Sequence, residues 1–155
     1  MTRRAAPRPS LGKPDYETLA EFRYLLRRFV AFSDAAAEEA GLRPQQHQAL
    51  LVIKGFPGRE RITIGALAER LGIRHHSAVG LVDRLVGHGL VRRHAERADR
   101  RQVTVALTPE AEALLARLSL AHRDALTRLA PLFQELLAQL AVPPPSADRK
   151  RHQSP

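Results

Sequence analysis

Residues 62–107, ITIGALAERLGIRHHSAVGLVDRLVGHGLVRRHAERADRRQVTVAL, constrain the fold more than any other stretch. They hold two short amphipathic patterns separated by a glycine, then two apolar runs separated by a charged loop. Thr63 is placed to cap a first helix whose apolar face is Leu67, Ala68 and Leu71. Gly72 ends it where the chain must turn sharply, since glycine enters the left-handed region at no steric cost. After Ile73 a second helix is predicted, because Ala78, Leu81, Val82 and Leu85 recur three and four residues apart. His88 and Gly89 close it. Residues 90–94 and 102–107 read as strands, the second alternating through Val103, Val105 and Leu107, with 95–101 as the loop between them.

Two short helices with a tight turn and a positive hairpin make a winged helix–turn–helix, which points to double-stranded DNA as the ligand. The charge distribution agrees. The chain carries a net +9, but residues 1–14 hold four basic and no acidic side chains, and 142–155 hold three basic and one acidic. The body between them is only +3, and 74–101 alone has seven arginines against three acids. An excess confined to the hairpin and its neighbouring helix is the footprint of polyanion binding. The basic tails either add phosphate contacts or are solvated coil.

Three pieces of sequence carry a family resemblance: the Leu67-Ala68 helix motif, the VDRL…GLVRR run over 82–93, and the Asp99-Arg100-Arg101 wing continuing through Val103 and Leu107 to a helix-opening threonine. Together they resemble the MarR family of bacterial transcription regulators, in the family's order of elements over roughly 15–141. The resemblance implies a mainly α fold with a small β wing, a winged helix–turn–helix flanked by N- and C-terminal dimerisation helices. It also implies a homodimer on a pseudo-palindromic operator, acting more often as a repressor than as an activator.

The remaining chain fits that plan. Residues 1–14, with three prolines, are expected to be a disordered basic tail. Helical periodicity begins at Asp15, with Leu19, Phe22, Leu25, Leu26, Phe29 and Val30 on one face, and ends near Gly41, giving a dimerisation helix over 15–41. The DNA-binding lobe spans 42–107. It opens with a helix from Leu42 to Lys54 that has Pro44 in its first turn, and Ile62 is expected as a short strand beside the hairpin. Thr108 and Pro109 start a helix running to about 127 with Leu114, Leu115, Leu118 and Ala121 as its apolar set. Pro131 then divides it from, or kinks it into, a last helix with Leu132, Phe133, Leu136, Leu137 and Leu140, so that 108–141 form the C-terminal dimerisation helices. Residues 142–155 open with three prolines soon after Val142 and are expected to be a disordered tail. Flanking helices this rich in leucine and phenylalanine would expose a large apolar patch in a monomer, whereas a symmetric dimer would bury it.

On the second helix, the face left for DNA holds Arg74, His75, His76, Ser77, Val79, Gly80 and Arg84. Arg74 and His75 lie at its N-terminus, where phosphates and base edges are both in reach. Family members often carry threonine and arginine where this chain has Val79 and Gly80. The departure removes a polar reading pair, leaving an apolar contact for a thymine methyl and room for close approach. Arg97, Arg100 and Arg101 make the wing positive, with Asp99 expected to shape the loop by pairing with an arginine. By analogy to the family, a wing arginine enters the minor groove.

Many family members bind small aromatic or phenolic compounds, and the corresponding residues here are Phe22, Leu26, Phe29, His47, Leu50 and Leu51. The same residues could equally be dimer core. Seven histidines raise the question of a metal, but no cysteine supplements them and their spacing supplies no converging set, so no metal or other cofactor is expected. No nucleotide loop, zincin motif or nucleophile elbow marks an enzyme. The lack of cysteine excludes disulfides and thiol-based sensing. Without an apolar run of membrane-spanning length or a signal-peptide pattern, a cytoplasmic bacterial protein is expected. The competing reading is a sequence-blind architectural or protein-interaction module without an effector.

Overall fold

The computed structural model describes residues 11–58, 60–95 and 103–141. In chain order the elements are α1 (Lys13–Glu39), α2 (Pro44–Lys54), β1 (Ile62–Thr63), α3 (Ile64–Leu71), α4 (His75–Gly87), β2 (Val91–Ala95), β3 (Val103–Leu107) and α5 (Pro109–Ala141). The fold is mainly helical, with one three-stranded sheet ordered β1-β3-β2.

Local chemistry accounts for the boundaries. The Asp15 carboxylate accepts from the Gly12 N–H at 2.7 Å and starts α1 two residues earlier than the periodicity predicts. Gly41, at φ 80°, ends it, and the Leu42 N–H reaches back to the Ala37 carbonyl at 2.9 Å. Thr63 caps α3 through the Ala66 N–H at 3.1 Å, and Gly72 leaves that helix at φ 64° in the left-handed region. Gly89, at φ 69°, follows the end of α4, while the Leu90 N–H bonds the Leu85 carbonyl at 2.9 Å.

The chain divides into two compact units. Val30–Asp124 encloses a core in which Leu50, Ile53, Ile62, Leu67, Leu81, Val82, Leu85, Val91 and Val105 are almost fully buried. Each such side chain contributes about 1.5–3 kcal/mol relative to exposure. The β2–β3 register, Val91 opposite Leu107 and Arg93 opposite Val105, and the β1 pair Ile62 with Val105 set three buried residues of the sheet against the helices. Thr108 locks the sheet to α5. Its hydroxyl donates to the Gly89 carbonyl at 2.8 Å and accepts from the Ala111 N–H at 3.2 Å.

The other unit takes the described residues up to Phe29 and from Ala125 on. Here Phe22 meets Phe133 edge-on at 5.3 Å, and the Thr18 hydroxyl lies 3.0 Å from both the Pro14 carbonyl and Gln139 Oε1. Among its described residues only Leu25, Ala125 and Thr18 are buried.

Several expectations need correcting. Pro131 lies inside the continuous helix α5 instead of dividing two helices. A proline removes a single N–H donor, and the leucine-rich periodicity on both sides carries the helix past it. Ala121 is exposed, and the buried set of α5 is Ala111, Leu115, Leu118 and Ala125. The alternation expected along β3 holds at Val105 but not at Val103, which is 36% exposed, while Thr104 is buried with its hydroxyl 3.3 Å from the His94 carbonyl. The first strand of the hairpin begins at Val91, since the Leu90 N–H still completes the helix end.

Candidate nucleic-acid interface

α4 carries two sharply different faces. Ala78, Leu81, Val82 and Leu85 are at most 1% exposed and bind the helix to the core. Arg74, His75, His76, Ser77 and Arg84 are exposed, with Val79 and Gly80 half-buried between them. The structure thus exposes five of the seven predicted residues along α4 and at its N-cap and half-buries the other two. No acidic residue sits in its first turn, and the Arg74 side chain makes no cap hydrogen bond. The partial positive charge of a helix start therefore stands beside an arginine and two histidines. Over Gly80 lies Arg84, whose Nη1 is 3.7 Å from where a Cβ would stand, an ordinary contact that a small side chain would also allow.

Two contacts that sequence reading missed hold α4 in place. Asp83 Oδ1 accepts from Arg93 Nη2 of β2 at 2.5 Å. At the end of the helix, Gln46 of α2 stands 3.3 Å from His88 Nδ1 through its Nε2. Its Oε1 accepts from the Arg43 N–H at 2.9 Å, which orients the amide with its donor toward His88. Gln46 is 3% exposed, so the amide is a buried tie between α2 and the end of α4. A polar residue early in a helix gave no sign of this, because its partner lies 42 positions away.

β2 adds the exposed Arg92, while Arg93, also exposed, is the one paired with Asp83. The predicted wing residues Arg97, Asp99, Arg100 and Arg101 lie outside the described residues.

A family model for the MarR family matches residues 40–102, from the end of α1 through the helix–turn–helix and into the wing. This segment is a MarR-family winged helix–turn–helix. The solved structures similar to the chain agree with it. A multiple antibiotic-resistance repressor from Listeria monocytogenes is 25% identical, with a TM-score of 0.58, over 86% of its chain and 81% of this one. AbsC, a MarR family transcriptional regulator from Streptomyces coelicolor, shares 18% identity and a TM-score of 0.68 over 90% of its chain and 86% of this one. A MepR variant from S. aureus, solved bound to an oligodeoxyribonucleotide, shares 19% identity and a TM-score of 0.57 over 84% of its chain and 81% of this one. Among curated proteins none matches in sequence.

The six residues singled out for a small ligand of the MarR type fall in both units, and each unit treats its own differently. Phe22 and Phe29 are half-buried and Leu26 is 41% exposed. In the other unit Leu50 is wholly buried in the core, Leu51 is 50% exposed, and His47 is 4% exposed. His47 stacks on His122 of α5 with ring centroids 4.9 Å apart. His122 Nδ1 faces the Leu118 carbonyl at 2.5 Å, so that nitrogen carries the proton, and its Nε2 is 2.8 Å from the Ser33 hydroxyl of α1. Burial, then the neighbouring His122, push the His47 pKa below its usual 6.5, with Asp34 of α1 opposing them. Among the described residues no three histidine, aspartate or glutamate side chains converge as a metal set. No helix of the described residues is long and apolar enough to cross a membrane.

Proposed function

We propose that the protein is a homodimeric, sequence-specific double-stranded-DNA-binding transcription regulator of the bacterial cytoplasm. It represses its own or a neighbouring promoter by occupying a pseudo-palindromic operator, and a small aromatic or phenolic compound relieves that repression. The observation that carries the reading is α4, whose inner face is sealed in the core while Arg74, His75, His76, Ser77 and Arg84 face out. In this reading Arg74 and His75 reach phosphate and base edges at the helix start, Val79 packs on a thymine methyl, and Arg84 meets the backbone. Arg97, Arg100 and Arg101 supply the wing contacts, with Asp99 shaping the loop. The apolar residues of 15–41 and 108–141 join two copies, which sets two reading helices against two half-sites. The MepR variant's oligodeoxyribonucleotide and the Listeria protein's description as a repressor support the DNA ligand and the sign of control.

Fluorescence anisotropy with duplex from the gene's own upstream region, beside scrambled duplex and across a salt series, tests the reading. One dimer should bind one palindrome tightly, and Arg74→Ala and Arg97→Ala should each weaken it and lower the salt slope by about 1. Equal binding of both duplexes would refute self-regulation and favour a sequence-blind architectural role. Aromatic acids and phenols titrated into the preformed complex test the effector. If none releases the duplex, the relief step is lost and the DNA-binding reading stands.

A further inference from the structure

We propose that the Asp83–Arg93 ion pair is a positioning brace that fixes the β2–β3 hairpin against α4, so that helix and wing meet one duplex together. This deepens the DNA-binding reading and rests on it. Residues opposite each other in an antiparallel pair share a sheet face, and Arg93 stands opposite Val105, which is wholly buried. Val91, two residues earlier on the same strand face, is also buried. Arg93 therefore follows Val91 on the face that packs against the helices, at the point where that face opens to solvent. Instead of ending in solvent beyond the sheet, its guanidinium crosses to α4 and meets Asp83 at 2.5 Å.

Asp83 is the odd residue on its helix. It stands one turn after Val79 and directly before Arg84, an acid on the helix offered to a polyanion. Left unpaired, its carboxylate would repel phosphate. Its partnership with Arg93 neutralises that charge and spans the helix and the strand that leads into the wing. The two side chains are 56% and 37% exposed, so the pair adds little to global stability. Its contribution is the angle between two DNA-contacting parts.

The sign of one substitution tests this. Asp83→Asn makes the protein more positive, and by charge alone it should tighten DNA binding, most at low salt. The brace predicts the opposite, a loss of about twofold to fivefold in operator affinity. Arg93→Ala should weaken binding at least as much, and the double variant should be no weaker than Arg93→Ala alone, with every melting temperature close to wild type. Exchanging the pair as Asp83→Arg with Arg93→Asp should recover part of the loss. Tighter binding by Asp83→Asn, or additive losses in the double variant, would overturn the brace. Should the wild type fail to prefer its operator over scrambled duplex, the DNA-binding reading fails and takes the brace with it. A wild type that discriminates beside an Asp83→Asn that tightens refutes the brace alone.

Discussion

The two compact units solve the burial problem in opposite ways. Val30–Asp124 gathers apolar residues from five helices and three strands around Leu81, Leu85 and Val105 and leaves them dry. The unit formed by the two ends of the chain buries little beyond Leu25 and Ala125. It leaves Tyr16, Leu19, Tyr24, Leu26, Leu126, Leu132, Leu137 and Leu140 at 36% exposure or more. Composition does not separate them, since both are rich in leucine. Geometry does. A sheet with helices packed on it closes a core within one chain, whereas the stripes of long helices need a further surface. The first unit carries the candidate DNA surface, and the second carries much of the proposed dimer contact, which also takes in the exposed Val30, Phe32 and Leu120 of the first.

The sharpest break of this contrast is a paired substitution in the open unit, Leu126→Asp with Leu137→Asp. Charges on these leucines should cost a dimer about a hundredfold or more in affinity. Sedimentation should then show a folded monomer with its helical content kept. A wild type that already sediments as a monomer would remove the contrast altogether. In the closed unit, Leu81→Ala should destabilise folding by about 2–5 kcal/mol, read from the urea midpoint. A loss well under 1 kcal/mol would mean this core repacks freely, unlike the dry interior described above.

A smaller effect probes the polar seam of the closed unit. His47 has its pKa lowered by burial and by His122. The unfolded chain therefore takes up this proton more readily than the folded one. The stability it contributes is complete above pH 6.5 and is lost as pH falls from there through the lowered folded value. His47→Gln should flatten the decline in urea midpoint between about pH 6.5 and 5. An unchanged slope would assign the acid sensitivity to other groups.

Much of this was readable without coordinates, for a local reason. Thr63, Gly72, Gly89 and Thr108 act on neighbours within a few residues, so caps and turns declare themselves in sequence. The three- and four-residue recurrence of Ala78, Leu81, Val82 and Leu85 likewise marks which face of α4 goes inward, and by subtraction which residues stay outside. The motifs around 82–101 then marked the MarR segment. At Pro131 the sequence leaves a division or a kink open, because a local rule competes with a periodicity that continues past it, and the single helix α5 rules out the division.

What only the tertiary structure decided is what joins residues far apart in the chain. Gln46 reaches His88 across 42 positions and His122 reaches Ser33 across 89, and neither distance leaves a periodic trace. Asp83 and Arg93 are ten apart, yet a helix end, a turn and a strand register all had to be placed before they could meet. Hydrophobic pattern specifies faces, because burial acts on each residue singly. Pairing polar groups needs directions and distances of about 3 Å, and those exist only once the faces have been packed together.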